Sequence, residues 1–233
     1  MKKIYIVMPI ANEESNIKRL IEKIFSLKIS DLSLVLIIDK FSKDNTKNII
    51  QDLQKTNKNV ILLDHKSSTG VVSCYLYGFK YAIANNADYV IEMDAGESHG
   101  PNEIPNFINW LNQGYDCVFG SRFIDGGKIL NMPLYRKFIS KFGTITANMV
   151  LHTKFKDLTS GYEAFNASVL KKLNFDNFLS LQTTHFMQTE IRFYCRNFKY
   201  KEIPIIYKGS KSSLNIKSVF KSFKILFELK KIK

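Results

Sequence analysis

Four short, predominantly apolar runs, each followed by a segment that keeps its apolar residues on one helical face, leave this chain few folds to choose from. The runs are residues 4–8, 34–38, 60–63 and 89–93. After the first, Ile17, Leu20, Ile21, Ile24 and Phe25 fall at i, i+3, i+4, i+7 and i+8, the spacing of one helix face, with Asn12 or Ser15 as the expected cap. A second helix is expected to carry Ile49, Ile50 and Leu53, and a third Tyr75, Leu76, Phe79, Ala82 and Ile83. Strands apolar on both sides and separated by amphipathic helices predict a parallel sheet covered on both faces. Residues 1–120 therefore read as a doubly wound α/β sheet.

In such sheets ligands bind beyond the carboxyl ends of the strands. That directs attention to residues 9–13, 39–44, 64–66 and 94–99, three of which open with Asp. A carboxylate there can hold a metal or accept hydrogen bonds from a base or ribose, although Asp and Asn are also ordinary turn formers. One Asp alone says little; the set points to a site. No GxxxxGK[ST] occurs and no GxGxxG follows the first strand, which argues against a P-loop NTPase and a Rossmann dehydrogenase. A nucleotide in this fold has to be held by side chains and a metal.

The 233 residues suit one domain with an appendage, and 45% hydrophobic with 24% charged residues excludes a disordered or low-complexity chain. No run approaches the ~20 apolar residues of a membrane span, so neither a transmembrane anchor nor a secretory signal is expected. Cys74, Cys117 and Cys195 lack any CxxC pairing, against a disulfide framework or structural zinc and in keeping with a reducing cytoplasm. The 34 Lys plus Arg against 21 Asp plus Glu give a net charge of +13. Either an anionic partner or the lysine bias of an AT-rich genome accounts for it, since only five of the basic residues are Arg. Nucleic acid is disfavoured, because the lysines are spread out with no aromatic stacking motif beside them.

Val7 to Glu13, Ile37 to Asp39 with Asp44 and Thr46, and Met93 to Pro105 resemble the family 2 glycosyltransferases of GT-A fold, in particular their dolichol-phosphate mannosyltransferase-like branch. The resemblance continues in order through Gly120 to Phe123, Arg136 with Ser140, Asp157 to Tyr162, Gln188 to Glu190 and Glu202 to Ile205, over residues 3–207. It implies a mostly parallel nucleotide-sugar-binding sheet flanked by helices. It also implies inverting, non-processive transfer of a hexose from a GDP- or UDP-sugar to polyprenyl phosphate or a related glycolipid. Residues 188–193 do not spell the QxxRW of chain-elongating synthases. Two further readings stand beside this one: the same fold with a sugar hydroxyl acceptor in a cell-surface glycan, and a noncatalytic nucleotide-sugar-binding protein.

By the same resemblance the donor sits at Pro9, Ala11, Asn12, Glu13 and Asp39, with Lys66, Gly70, Asp94 and Ala95. In-line displacement builds negative charge on the departing β-phosphate, which such enzymes neutralise with Mn²⁺ or Mg²⁺ on an Asp-x-Asp motif. Here the motif reads Asp94-Ala95-Gly96, so the expected metal ligands are Asp94, Glu97 and Ser98, the alternative being neutralisation by Lys or Arg. Lys40 likewise stands where relatives often carry Asp. Arg122, also assigned a catalytic role, lies with Arg136 and Ser140 around the acceptor phosphate, and Thr159, Ser160, Gly161, Gln188 and Glu190 complete the acceptor side. Arginine suits the task because its planar fork takes phosphate oxygens in pairs. A phosphate acceptor is already anionic and needs no strong base; the available bases are His99 and Asp157.

The expected organisation is a catalytic domain over residues 1–207, with its donor half ending near 120, and a basic tail over 208–233. The tail holds eight Lys against Glu228, and Ile216, Val219, Phe220, Phe223, Leu226 and Phe227 at helical spacing. It reads either as an amphipathic helix on the anionic inner face of the plasma membrane or as a helix packed on its own domain. Relatives often carry an Arg just before it; Lys208 or Lys211 is expected to replace that Arg at the donor phosphates.

Overall fold

The computed structural model describes residues 1–96, 98–183, 186–209 and 216–232, with backbone only for 216–219. Its first half follows the expected alternation: β1 (Ile4–Ile10), α1 (Ile17–Ser26), β2 (Leu32–Asp39), α2 (Thr46–Thr56), β3 (Val60–His65), α3 (Val71–Ala84) and β4 (Tyr89–Glu92). These four strands pair in parallel, in the order β3-β2-β1-β4. Then come α4 (Ile104–Asn112), β5 (Cys117–Ser121), β6 (Lys128–Leu130), α5 (Leu134–Leu151), β7 (Glu163–Asn166) and α6 (Ala167–Leu170). The chain closes with α7 (Met187–Tyr194), β8 (Tyr200–Pro204), β9 (Ile206–Lys208) and α8 (Ile216–Leu229). The main sheet has seven strands in the order β3-β2-β1-β4-β7-β5-β8, and β7 runs antiparallel to both neighbours. A separate parallel pair joins β6 to β9.

Side chains alternate across the strands, which explains why the runs are continuous. Tyr5, Val7, Val35 and Ile37 enter one core with α3 and the C-terminal helices, while Ile4, Ile6, Met8, Leu34, Leu36 and Ile38 enter the other with α1 and α4. Gly78 lets α3 lie directly on the sheet: a Cβ there would collide with Val7 and stand 2.7 Å from Ile37 Cδ1. Neither Asn12 nor Ser15 caps α1. Asn16 precedes the helix without a capping side-chain bond, while Asn12 adopts φ 57° and accepts a hydrogen bond at Oδ1 from the Lys43 amide (2.9 Å). Asn12 is thus spent joining two loops, in a left-handed conformation that asparagine tolerates.

α8 packs against α5 and the turn Leu179–Gln182, burying Ile225, Leu226 and Leu229. Among the described residues no helix is long and apolar enough to cross a membrane.

Candidate active site

Strand order reverses between β1 and β4, and the loops that leave these strands meet there. The β1–α1 loop is stitched to the β2–α2 loop: the Asn12 amide donates to Ser42 Oγ (3.1 Å), the Glu13 amide to Thr46 Oγ1 (2.8 Å) and the Glu14 amide to Asp44 (3.0 Å). Pro9 is half-buried at the end of β1, and Ala11 is exposed. At the end of β2, Asp39 is turned inward, accepting from Ser68 Oγ (2.9 Å) and the Phe41 amide (3.2 Å) at one oxygen. Its carboxylate holds the β3–α3 loop in place and offers a ligand little free surface. Exposed Lys66 and the Gly70 turn, at φ 130°, flank that Ser68 anchor.

Two residues beyond β4, Asp94 Oδ1 accepts from the Tyr75 hydroxyl (2.7 Å). The Asp94 amide donates to His99 Nδ1 (3.4 Å), and burial pushes the His99 pKa down against the pull of Asp94. His99 is therefore a neutral, buried partner of the turn; its 3.6 Å approach to Asp94 Oδ2 is not an ion pair. Ala95 is buried, and Ser98 is 8% exposed. A Cβ on Gly96 would stand 3.6 Å from Glu13 Oε1 and 4.0 Å from Ser98 Oγ, so the Glu13 carboxylate borders the place of the missing aspartate. Asp94, Ser98 and Glu13 are hard oxygen donors that suit Mn²⁺ or Mg²⁺ sharing its remaining positions with diphosphate and water. Among the described residues no group of three or more His, Cys, Asp or Glu is gathered tightly enough to hold an ion unaided. Glu97 and Lys211 lie outside the described residues.

β9 closes this side. The Lys208 amide donates to Ser98 O (2.9 Å), and Tyr207 bridges His99. Lys208, Arg19 and Lys23 help line a cavity of about 340 Å³ that reaches Ala95, Gly96 and His99.

On the other half, Arg122 is 7% exposed and fully engaged along one edge: Nε and Nη2 donate to the two oxygens of Asp157 (2.7 and 2.8 Å). Nη2 also reaches Ser140 Oγ (2.9 Å) and Thr159 Oγ1. The expected two-pronged grip on phosphate is thus already given to Asp157, and what Arg122 presents is a fixed charge among hydroxyls. Burial opposes ionisation of Asp157, but the Arg122 charge and its hydrogen bonds hold that carboxyl below its ordinary range. Ser140 lies in α5, one turn after half-buried Arg136, so both occupy the same helix face.

The two halves are joined by a buried polar chain that sequence reasoning missed. Gln188 Nε2 donates to Glu92 Oε1 (2.8 Å), and Glu92 is the register partner of Glu163 across β4 and β7. Arg192, fully buried, donates to Glu163 (2.6 Å) and to the carbonyl of Ser160 (3.0 Å). Burial and the Glu163 charge raise the Glu92 pKa well above normal; burial, offset by Arg192, pushes Glu163 up to about 7. Gly161 fits this chain closely, since a Cβ would meet Gln188 at 3.3 Å and Glu92 at 3.4 Å. Glu190 is a correction: its oxygens accept the amides of Leu179 (2.8 Å) and Ser180 (2.7 Å), so it caps a turn and does not face the acceptor side. The missed residues left two signals, a carboxylate inside an apolar run at Glu92 and an arginine in a lysine-rich chain at Arg192.

The model of glycosyl transferase family 2 matches residues 5–174. Undecaprenyl-phosphate mannosyltransferase of Micrococcus luteus is 32% identical over 142 residues, 61% of this chain and 58% of that protein. Dolichol-phosphate mannosyltransferase of Pyrococcus furiosus is 29% identical over 237 residues, 98% of this chain and 64% of that one. The chain spans about three-fifths of the length of the relatives it matches. Glucosyl-3-phosphoglycerate synthase from Mycobacterium tuberculosis, solved with Mn²⁺, UDP-glucose and phosphoglyceric acid, superposes with a TM-score of 0.63 at 14% identity, covering 98% of this chain and 80% of that one. A mannosyltransferase from Pyrobaculum calidifontis with GDP-Man and Mn²⁺ gives 0.61 at 11% identity, covering 97% and 64%. At such identities the likeness is one of fold, the GT-A type. With the family model extending over most of a sheet whose switch point carries the motif residues, the chain belongs to glycosyltransferase family 2.

Proposed function

We propose that this chain transfers a hexose from a GDP- or UDP-sugar to polyprenyl phosphate. The observation that carries the reading is the buried Arg122 guanidinium, fixed by Asp157 and ringed by the hydroxyls of Thr159 and of Ser140, the latter on the helix face that also bears Arg136. Such a cluster suits an anionic headgroup. The relatives named for undecaprenyl- and dolichol-phosphate mannosyl transfer support it.

The donor is read at the β1/β4 switch, with Pro9, Ala11 and Glu13 near the nucleotide and Lys208 near its phosphates. A Mn²⁺ or Mg²⁺ ion on Asp94 and Ser98, bordered by Glu13, supplies charge neutralisation at the diphosphate when bound. Tyr75 and His99 orient Asp94 for that purpose. On the acceptor side Arg122 and Arg136 draw the lipid phosphate into line with the sugar. Its oxygen is already anionic and attacks without a base. Both base candidates are engaged, Asp157 by Arg122 and His99 by the Asp94 amide, which favours phosphate over a sugar hydroxyl. Peripheral contact with the inner face of the plasma membrane, including contact through the basic tail, belongs to the same reading.

Calorimetric titration with GDP- and UDP-hexoses, with and without Mn²⁺, followed by transfer to a short polyprenyl phosphate, tests it. Metal-dependent binding of one donor and transfer to the phosphate are expected. Arg136→Ala should lower transfer at least ~100-fold with donor affinity unchanged, and Asp94→Asn should remove the metal dependence of donor binding. Donor binding without transfer to any acceptor would favour the noncatalytic reading.

A further inference from the structure

We propose that Glu92 and Glu163 share one proton and that Glu92 thereby positions Gln188, whose carboxamide presents its carbonyl oxygen to a hydroxyl of the transferred hexose. The two glutamates are register partners on antiparallel β4 and β7, so their side chains stand on the same face of the sheet. Both are wholly buried. Each has one oxygen engaged: Glu92 Oε1 accepts from Gln188 Nε2 (2.8 Å), and Glu163 Oε1 accepts from Arg192 Nε (2.6 Å). The second oxygens, Glu92 Oε2 and Glu163 Oε2, are buried without a hydrogen-bond partner. Two bare carboxylate oxygens on neighbouring strands, away from water, repel each other. One proton between them turns the same pair into a donor and an acceptor.

The surrounding charges decide where the proton rests. Arg192 of α7 bonds Glu163 and holds it as the anion, so Glu92 Oε2 keeps the proton and donates it to Glu163. Among the other groups that face the pair, Asp94 and Asp157 add negative charge and favour its retention, while Tyr75 of α3 and Cys117 of β5 stay neutral. With its proton aimed at Glu163, Glu92 can only accept at Oε1. Gln188 must then turn its amide nitrogen inward, which leaves Oε1, the other arm of this half-buried carboxamide, to a ligand. A carbonyl oxygen accepts and never donates, so it selects a hydroxyl and repels a phosphate oxygen. The location suits the sugar. Glu92 stands two residues before Asp94, and Gly161, beside Gln188, two residues after the Thr159 that bonds Arg122. Resting on the function proposed above, Gln188 therefore reads the hexose between its two phosphates, not the lipid phosphate drawn in by Arg122 and Arg136.

Infrared difference spectra of the full chain, wild type minus Glu92→Gln, test the proton without any substrate. A carboxylic-acid carbonyl band is expected from wild type at neutral pH and not from the variant. Its absence from wild type would mean two carboxylates bridged by water or by Arg192 Nη1, and overturns the proposal. Transfer tests the consequence. Glu92→Leu should lower kcat/KM roughly tenfold or more, and Glu92→Gln, which keeps a donor towards Glu163 and an acceptor towards Gln188, should restore most of it. Wild-type kcat/KM should fall as rising pH removes the shared proton, and Glu92→Gln should lack that alkaline limb; equal limbs in the two overturn the proposal, whether or not Glu92→Leu folds. Gln188→Leu should cost roughly tenfold or more in affinity for the full donor, and little for the one monodeoxy-hexose donor that lacks the hydroxyl it reads. Equal losses across the monodeoxy series overturn the assignment to the sugar. Calorimetry reads these affinities without acceptor, so an absence of transfer would fell the functional reading and leave both the infrared and the deoxy comparisons to decide this one.

Discussion

Gly96 occupies the second carboxylate position of the family motif, yet its surroundings remain suited to a cation. A Cβ there would make only ordinary contacts with Glu13 and Ser98, so a side chain can leave the backbone at this position without displacing either. Gly96→Asp is expected to tighten Mn²⁺ roughly tenfold, since affinity for hard cations follows the number of charged ligands. Calorimetry without nucleotide reads this directly, and an unchanged affinity would place the ion away from Asp94. Glu92 and Glu163 give a second residue-scale expectation. Their folded pKa values are raised, so the folded chain keeps protons that the unfolded chain has already lost. The stability they provide is complete below about pH 4.5 and is lost as pH rises through the folded values. Melting temperature should therefore fall between about pH 5 and about pH 8, and Glu92→Gln should flatten part of that fall. An equal slope in the variant would mean that Glu92 is ionised throughout. At this scale the motifs were legible as positions but not as directions. Glu190 matched a family stretch and turned out to cap a turn; Arg122 matched and was found already paired to Asp157.

Among the elements, the helices and strands of the first half were readable because each strand is buried on both faces and each helix on one. For β7, residues 158–166 read as a loop and strand, but its antiparallel place between β4 and β5 was not legible, because it depends on the long return through α5. On α5 the exposed Leu134, Phe138, Phe142, Ile145 and Met149 left a clear pattern in the sequence, but apolar residues at helical spacing ordinarily signal core, and only the fold shows which side faces water. α8 carries both features at once, with Phe220, Phe223 and Phe227 exposed. Its Ile225, Leu226 and Leu229 enter the core, so deletion of residues 216–233 should lower stability by several kcal/mol, each such side chain being worth about 1.5–3 kcal/mol as an upper estimate. Denaturant unfolding checks this, and a truncated chain as stable as the full one would show that α8 is not integral to the fold. Surface substitutions therefore probe membrane contact more cleanly than truncation does.

Across the whole molecule the two apolar cores lie back to back on shared strands, Tyr5 and Val7 serving one while Ile4, Ile6 and Met8 serve the other. Neither core can dissolve without unpairing strands on which the other depends. Unfolding followed by the single tryptophan, Trp110, packed at the edge of the second core, should coincide with unfolding followed by far-ultraviolet dichroism. Two separated transitions would divide the molecule into independent halves.

Tyr207 sits at the join of the proposed donor and acceptor sides. Its ring packs on His99 at 5.5 Å between centroids, and the Arg122 guanidinium lies 5.4 Å from that ring's centre. One side chain thus forms a common wall between the turn that bears Asp94 and the Arg122 guanidinium. On the donor and acceptor reading proposed above, this wall is the route by which occupancy of one side would be felt on the other, and thermodynamic reciprocity would then require the two substrates to change each other's affinity by the same factor. Removing the ring should drive that factor towards unity and make the order in which the substrates arrive immaterial.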